Sequence, residues 1–273
     1  MKIINFLKKL KRKLLTFTEN GEFLVEGLTR VPSVKESAIS DLFIWRKTSE
    51  WKTFFELLDI NTLIYADYED LGNNSATFIF YDSEGLEIGR ETVVINPGRQ
   101  TIDINSLIPG VYEGWGTFAC FHNTIPQALL NSGSFIAERG YSGYEWRDLG
   151  ARGYVHGNLD AIAKSDQGIE LLGTSWKNQL SYNLQHELTG PAIYELVLVN
   201  PTRIHQKVEF IIKNPSKGTE MNELAQIGSR ASVIKQVHVE AGEKLQLAIS
   251  SKLYMARPVV FRLQGNSMDV FHG

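Results

Sequence analysis

Cysteine is nearly missing from this chain: 273 residues contain one, Cys120, which excludes an internal disulfide framework and any cysteine-rich zinc site. It stands in the apolar run Phe118-Ala119-Cys120-Phe121, where a buried, inert thiol is expected instead of a nucleophile. No apolar stretch reaches the length of a membrane-spanning helix. Strong charge of one sign is absent from the whole: the net charge is −3, which argues against a nucleic-acid binder that works by neutralising phosphates. Walker, dinucleotide-binding and Gly-x-Ser-x-Gly signatures are all lacking, so no cofactor is expected. Metal-ligand spacing is lacking too. His122, His186, His205 and His238 are isolated, and His186-Glu187-Leu188-Thr189-Gly190 carries glycine where a zinc-protease helix needs its second histidine.

Positive charge, nearly balanced by acids overall with 28 lysines and arginines against 31 acids, is densest at the start. Residues 1–17 hold Lys2, Lys8, Lys9, Lys11, Arg12 and Lys13 and no acid. Ile3, Phe6, Leu7, Leu10, Leu14 and Phe17 recur at helical steps, so a basic amphipathic helix is expected. The charges interrupt the apolar residues, unlike a cleaved secretory signal. One reading lays this helix on an anionic membrane surface, at the cytoplasmic face, with Lys8, Lys9, Lys11, Arg12 and Lys13 as contacts. The other packs it against the body or a partner helix.

The remainder says something twice. Val93-x-Ile95-x-x-Gly98 recurs as Val237-x-Val239-x-x-Gly242, and Thr77–Tyr81 is matched by Val208–Ile212. Ser134–Arg139 is matched by Pro258–Arg262, and Val155-His156-Gly157 by Phe271-His272-Gly273. Short alternating runs separated by turn residues every 8–12 positions indicate antiparallel sandwiches. The expected fold is therefore all-β: two tandem antiparallel β-sandwich modules, 18–157 and 178–273, behind the helix at 1–17 and joined by a connection at 158–177. Within them, Trp51, Phe54, Phe55 and Leu58 have helical spacing after a Ser49 cap. Residues 219–232 read as an insertion with a helical turn near Met221–Leu224.

The stretch Phe78-x-Phe80-Tyr81-Asp82-x-x-Gly85-x-x-x-Gly89, followed by Pro97-x-Arg99 and Asp103, resembles the central strands of the sensory-rhodopsin-transducer family. Ser251 leading to Arg257-Pro258-Val259-Val260 resembles them in the second module. The resemblance implies small β-sandwich domains that assemble into oligomers and interact with partner proteins or ligands.

Two sets of residues are candidates for chemistry. His156 and His272 hold equivalent places, with Glu138, Arg139 and Asp160 near the first in sequence. An enzyme acting on a sugar-like substrate would use His156 as acid/base, Glu138 or Asp160 as its carboxylate partner, and Arg139 to hold an anionic group. The structural alternative is a strand-end histidine bonded to backbone. The second set is an aromatic segment that only the first module carries, expected as a loop over 140–154. There Tyr141, Tyr144, Trp146 and Arg147, with Arg139, offer flat apolar faces beside polar groups, suited to a glycan or a protein partner. The leading expectation is a non-enzymatic binding protein, with the enzyme and a structural homo-oligomer as alternatives.

Overall fold

The computed structural model describes residues 38–64, 74–124, 136–138, 140–157, 161–165, 168–171, 175–202, 204–253 and 257–273. The basic leader with Lys8, Lys9, Lys11, Arg12 and Lys13 lies outside these residues, as do Arg139 and Asp160. Among the described residues no helix is long and apolar enough to cross a membrane.

The first half runs β1 (Ala38–Asp41), β2 (Phe43–Lys47), β3 (Trp51–Leu58), β4 (Ser75–Asp82), β5 (Glu87–Val94), β6 (Arg99–Asp103), β7 (Gly114–His122), β8 (Ile136–Glu138), β9 (Tyr141–Trp146) and β10 (Gly153–His156). Two short helices interrupt it, α1 (Ile60–Ile64) and α2 (Ile104–Leu107). α2 starts where the Asp103 carboxylate caps it by accepting from the Asn105 amide. A hairpin follows, β11 (Ala161–Ser165) and β12 (Gly168–Leu171). The second half is β13 (Ser175–Asn183), β14 (Leu188–Thr189), β15 (Ala192–Val199), β16 (Gln206–Asn214), β17 (Thr219–Ile227), β18 (Ser232–Val239), β19 (Lys244–Leu253), β20 (Val259–Gln264) and β21 (Ser267–His272).

The two halves share one topology. In the first, sheets ordered β2-β7-β4-β5 and β10-β9-β3-β6 face each other; in the second, β13-β19-β16-β17 and β21-β20-β15-β18 do. Taken in chain order, each strand of one set has its counterpart in the other. The all-β tandem architecture is thus present, and β4 with β16, and β10 with β21, occupy the places their sequences share. Two other correspondences slip. Gly98 turns β5 into β6, whereas Gly242 turns β18 into β19, one connection later. The strand equivalent to β20 is β9, not the Ser134–Arg139 segment.

Other local expectations are corrected. Residues 219–227 are not an insertion with a helical turn but β17, the counterpart of β5. Trp51, Phe54, Phe55 and Leu58 lie on β3, a strand, because both of its faces are largely covered and simple alternation is lost. Residues expected as a loop over 140–154 are mostly the hairpin β9–β10. The segment 158–177 contributes β11, which pairs with β1, and β12, which pairs with β11, in a further sheet, β12-β11-β1-β8.

Each half has its own core: Phe43, Trp45, Phe55, Phe78, Phe80 and Phe118 in the first, Tyr194, Leu196, Phe210, Leu247, Ile249 and Val260 in the second. A third cluster joins them. Trp51, Tyr144, Trp146 and Val155 from β3, β9 and β10 pack against Val197, Val259 and Phe261 from β15 and β20. Arg46 is fixed across this joint. Its guanidinium lies 3.6 Å from the Trp51 ring centroid and 4.9 Å from that of Phe261, and bonds the Glu195 carboxylate at 2.5 Å.

Candidate functional site

Strand alternation explains what the joint leaves free. On β3, Trp51, Thr53, Phe55 and Leu57 point inward, so Lys52, Phe54, Glu56 and Leu58 share the opposite face. Register places Tyr141 beside Glu56, Gly143 beside Phe54 and Glu145 beside Lys52 on β9. It places Tyr154 beside Gly143, and His156 beside Tyr141, on β10. Arg99 and Thr101 join from β6. In the second half the matching face of the β21-β20-β15-β18 sheet is the one covered at the joint, through Val197, Val259 and Phe261. Among the described residues this face is open around Tyr141 and Tyr154 in the first half, while the centre of its counterpart in the second half is covered.

A depression of about 390 Å³ lies on it, lined by Glu56, Leu58, Arg99, Tyr141 and Tyr154, within the range of small-ligand sites. Tyr141 is 51% and Tyr154 43% exposed, against 8% for Glu56. The Glu56 carboxylate is held from several sides. The Thr101 hydroxyl donates to it at 3.0 Å and the Tyr154 hydroxyl at 3.2 Å, while Arg99 Nε approaches at 3.4 Å from a largely exposed side chain. Tyr154 rests on glycine for a steric reason. A Cβ at Gly143 would fall 2.6, 3.1 and 3.2 Å from three of its ring carbons, so the ring lies down on the bare backbone. Its other side is left to solvent. Beyond it, Arg152 stacks 3.6 Å from the Phe54 ring centroid and bonds Glu145 at 2.6 Å.

The expected site residues are distributed as follows. Tyr141 belongs to the depression. Tyr144 and Trp146 do not, because they point to the other side of β9 and are 1% and 5% exposed in the joint. The Tyr144 hydroxyl donates to the Ile44 carbonyl, and burial pushes its ionisation up. Arg147 is exposed, stacks over Trp146 and pairs with Glu50 at the hairpin turn, away from the depression.

The enzyme constellation is not assembled between His156 and Glu138. Glu138 is buried and bonds His122 at 2.8 Å, while His156 Nδ1 lies 2.6 Å from its neighbour's carbonyl at Gly157. His272 Nε2 donates to the His156 carbonyl at 2.7 Å, and the two imidazole centroids are 4.5 Å apart. Both histidines thus sit at strand ends bonded to backbone. Cys120 is fully buried, and desolvation, helped by the Glu138 charge, pushes its thiol well above the ordinary value. Among the described residues no cluster of three or more His, Cys, Asp or Glu could hold a metal.

Sequence reading missed Glu56, Leu58 and Arg99 as members of one site, whereas Tyr154 closes the aromatic segment over 140–154 that it singled out. The signal was the two-residue spacing of Glu56 and Leu58, concealed by the helical spacing of their apolar neighbours.

No protein-family model matches the chain, and no curated protein does. Among solved structures, a β-glucuronidase of Bacteroides uniformis shares 10% identity over 88% of this chain and 26% of its own, with a TM-score of 0.18. A glycosyl hydrolase family 2 member from Bacteroides cellulosilyticus shares 10% over 92% and 31%, with a TM-score of 0.16. The chain therefore spans between a quarter and a third of these proteins.

Proposed function

We propose that the protein is a non-enzymatic glycan-binding β-sandwich pair whose site is the open face of the β10-β9-β3-β6 sheet. The observation that carries this reading is Tyr154, laid flat on Gly143 and tied through its hydroxyl to the buried Glu56 carboxylate. A pyranose ring has an apolar C–H face and a rim of hydroxyls, so it is matched by an aromatic ring flanked by a fixed acceptor and a mobile donor. Glu56 supplies the acceptor and Arg99 the donor. The aromatic surface sits in the copy whose face is open, while the copy whose face is covered lacks it. A catalytic reading has less behind it, since Glu138 is engaged with His122 and closed from solvent.

The test is binding of immobilised neutral and acidic oligosaccharides by the wild type, Tyr154→Ala and Gly143→Ala. Loss of the stacking ring is expected to weaken binding about tenfold. Gly143→Ala touches no ligand itself, yet it must displace the ring and so is expected to weaken binding in the same direction. Undiminished binding by both variants would remove this face from consideration.

A further inference from the structure

The tyrosine platform does not stand alone on its face. On one side of Tyr154 lies the Glu56–Arg99 pair; on the other lies a second carboxylate–guanidinium pair, Glu145–Arg152, with Nε and Oε1 2.6 Å apart. The Arg152 guanidinium lies 3.6 Å from the Phe54 ring centroid, so this contact extends the surface past the tyrosine. Both members of the ion pair are partly solvent-facing: the Arg152 side chain is 31% and that of Glu145 16% exposed. Register gives the order along the face. Glu56 and Phe54 are two residues apart on β3, opposite Tyr141 and Gly143, with Glu145 two residues further along β9. A step of two residues along a strand is about 6.6 Å, comparable with the length of one sugar unit in an extended chain. The two pairs also differ in how they are held. Arg99 is 70% exposed and 3.4 Å from its acid, whereas Arg152 is pinned by stacking and a short bond.

We propose that this face takes at least two consecutive pyranose units from within an extended, equatorially linked glycan. The first unit lies on Tyr154 between Tyr141 and Glu56, and the second over Arg152 with its hydroxyls on Arg152 and Glu145. Equatorial linkage is required because both supports lie on one sheet face: an equatorially linked chain is an extended ribbon with axial C–H groups on both broad sides, so each ring can lie on the face whichever way it is turned. The inference rests on the glycan-binding reading of this face and adds the ligand's form to it: a chain interior, not a single terminal sugar.

The experiment titrates the full chain by calorimetry with β-1,4-linked glucose, N-acetylglucosamine, xylose and mannose oligomers of one to six units. Affinity for one of these series is expected to rise about tenfold between one and three units and to level off after that. Arg152→Ala and Glu145→Gln are expected to reduce that gain, so that the loss grows with oligomer length; thermal melts matching the wild type show that both variants are folded. Binding that ignores length, or variants that lose equally at every length, would overturn the second position while leaving the tyrosine platform standing. No heat with any series, together with no binding in the immobilised-glycan test, would overturn both.

Discussion

At the scale of single residues, His272 is set by its surroundings. Burial lowers its affinity for a proton, and the charges of Arg257 and His156 push the same way against the favourable bond to the His156 carbonyl, leaving its pKa at about 4. An unfolded histidine titrates near 6.5, so between these values the unfolded chain binds the extra proton. Stability contributed by neutral His272 is complete above pH 6.5, declines as pH falls, and is gone below about 4. Thermal melts from pH 7 to 4 are expected to show this decline, and His272→Gln is expected to flatten it while keeping a donor to the His156 carbonyl. Parallel curves for the two proteins would show that another group controls the acid response.

Elements divide into those whose pattern survives in the sequence and those whose pattern is overwritten by the joint. The β4–β5 hairpin was readable from Asp82-Ser83-Glu84-Gly85: the Asp82 carboxylate accepts from the Glu84 and Leu86 amides, and Gly85 has φ +84. What the sequence did not reveal is where its tip goes. It docks on the β17–β18 connection, where the Ser232 amide donates to the Ser83 carbonyl and a Cβ at Gly85 would come 2.1 Å from the Ser229 carbonyl oxygen. Gly85→Ala is therefore expected to destabilise by clearly more than about 1 kcal/mol. Gly98→Ala, at φ +87 but with nothing within 4 Å, bears backbone strain alone. Urea unfolding of the two variants measures the difference, and equal losses would mean that the hairpin tip adds nothing to the joint.

The same distinction explains which site residues were legible. Tyr141 was found because an exposed aromatic beside acids stands out. Tyr144 and Trp146 looked equally promising, yet β9 alternates, and they point into the joint, a surface that belongs to no single module's pattern. Glu56 was passed over because Trp51, Phe54 and Phe55, buried on opposite faces of β3, imitate a helix. β17 escaped notice because its residues are mostly exposed and its alternation is polar throughout.

At the scale of the whole molecule, the third apolar cluster and the Arg46–Glu195 bond couple the halves. The expected calorimetric signature is one unfolding transition, not two. Glu195→Gln leaves Arg46 buried without its counter-charge, a loss of about 3 kcal/mol, and is expected to lower that single transition by about 5–10 °C. Replacing both residues by methionine is expected to recover most of the loss. Two separable transitions in the wild type would mean that the joint is too weak to unite the cores.

That joint also sets how many copies of this sheet face stay open in one chain. Duplication usually doubles binding sites and so raises avidity, but here one copy's outer sheet serves as the mounting for the other. On the proposed glycan-binding reading, the described sheets of a single chain offer one such face, and a gain from multivalency would come from bringing several chains together on the same polymer.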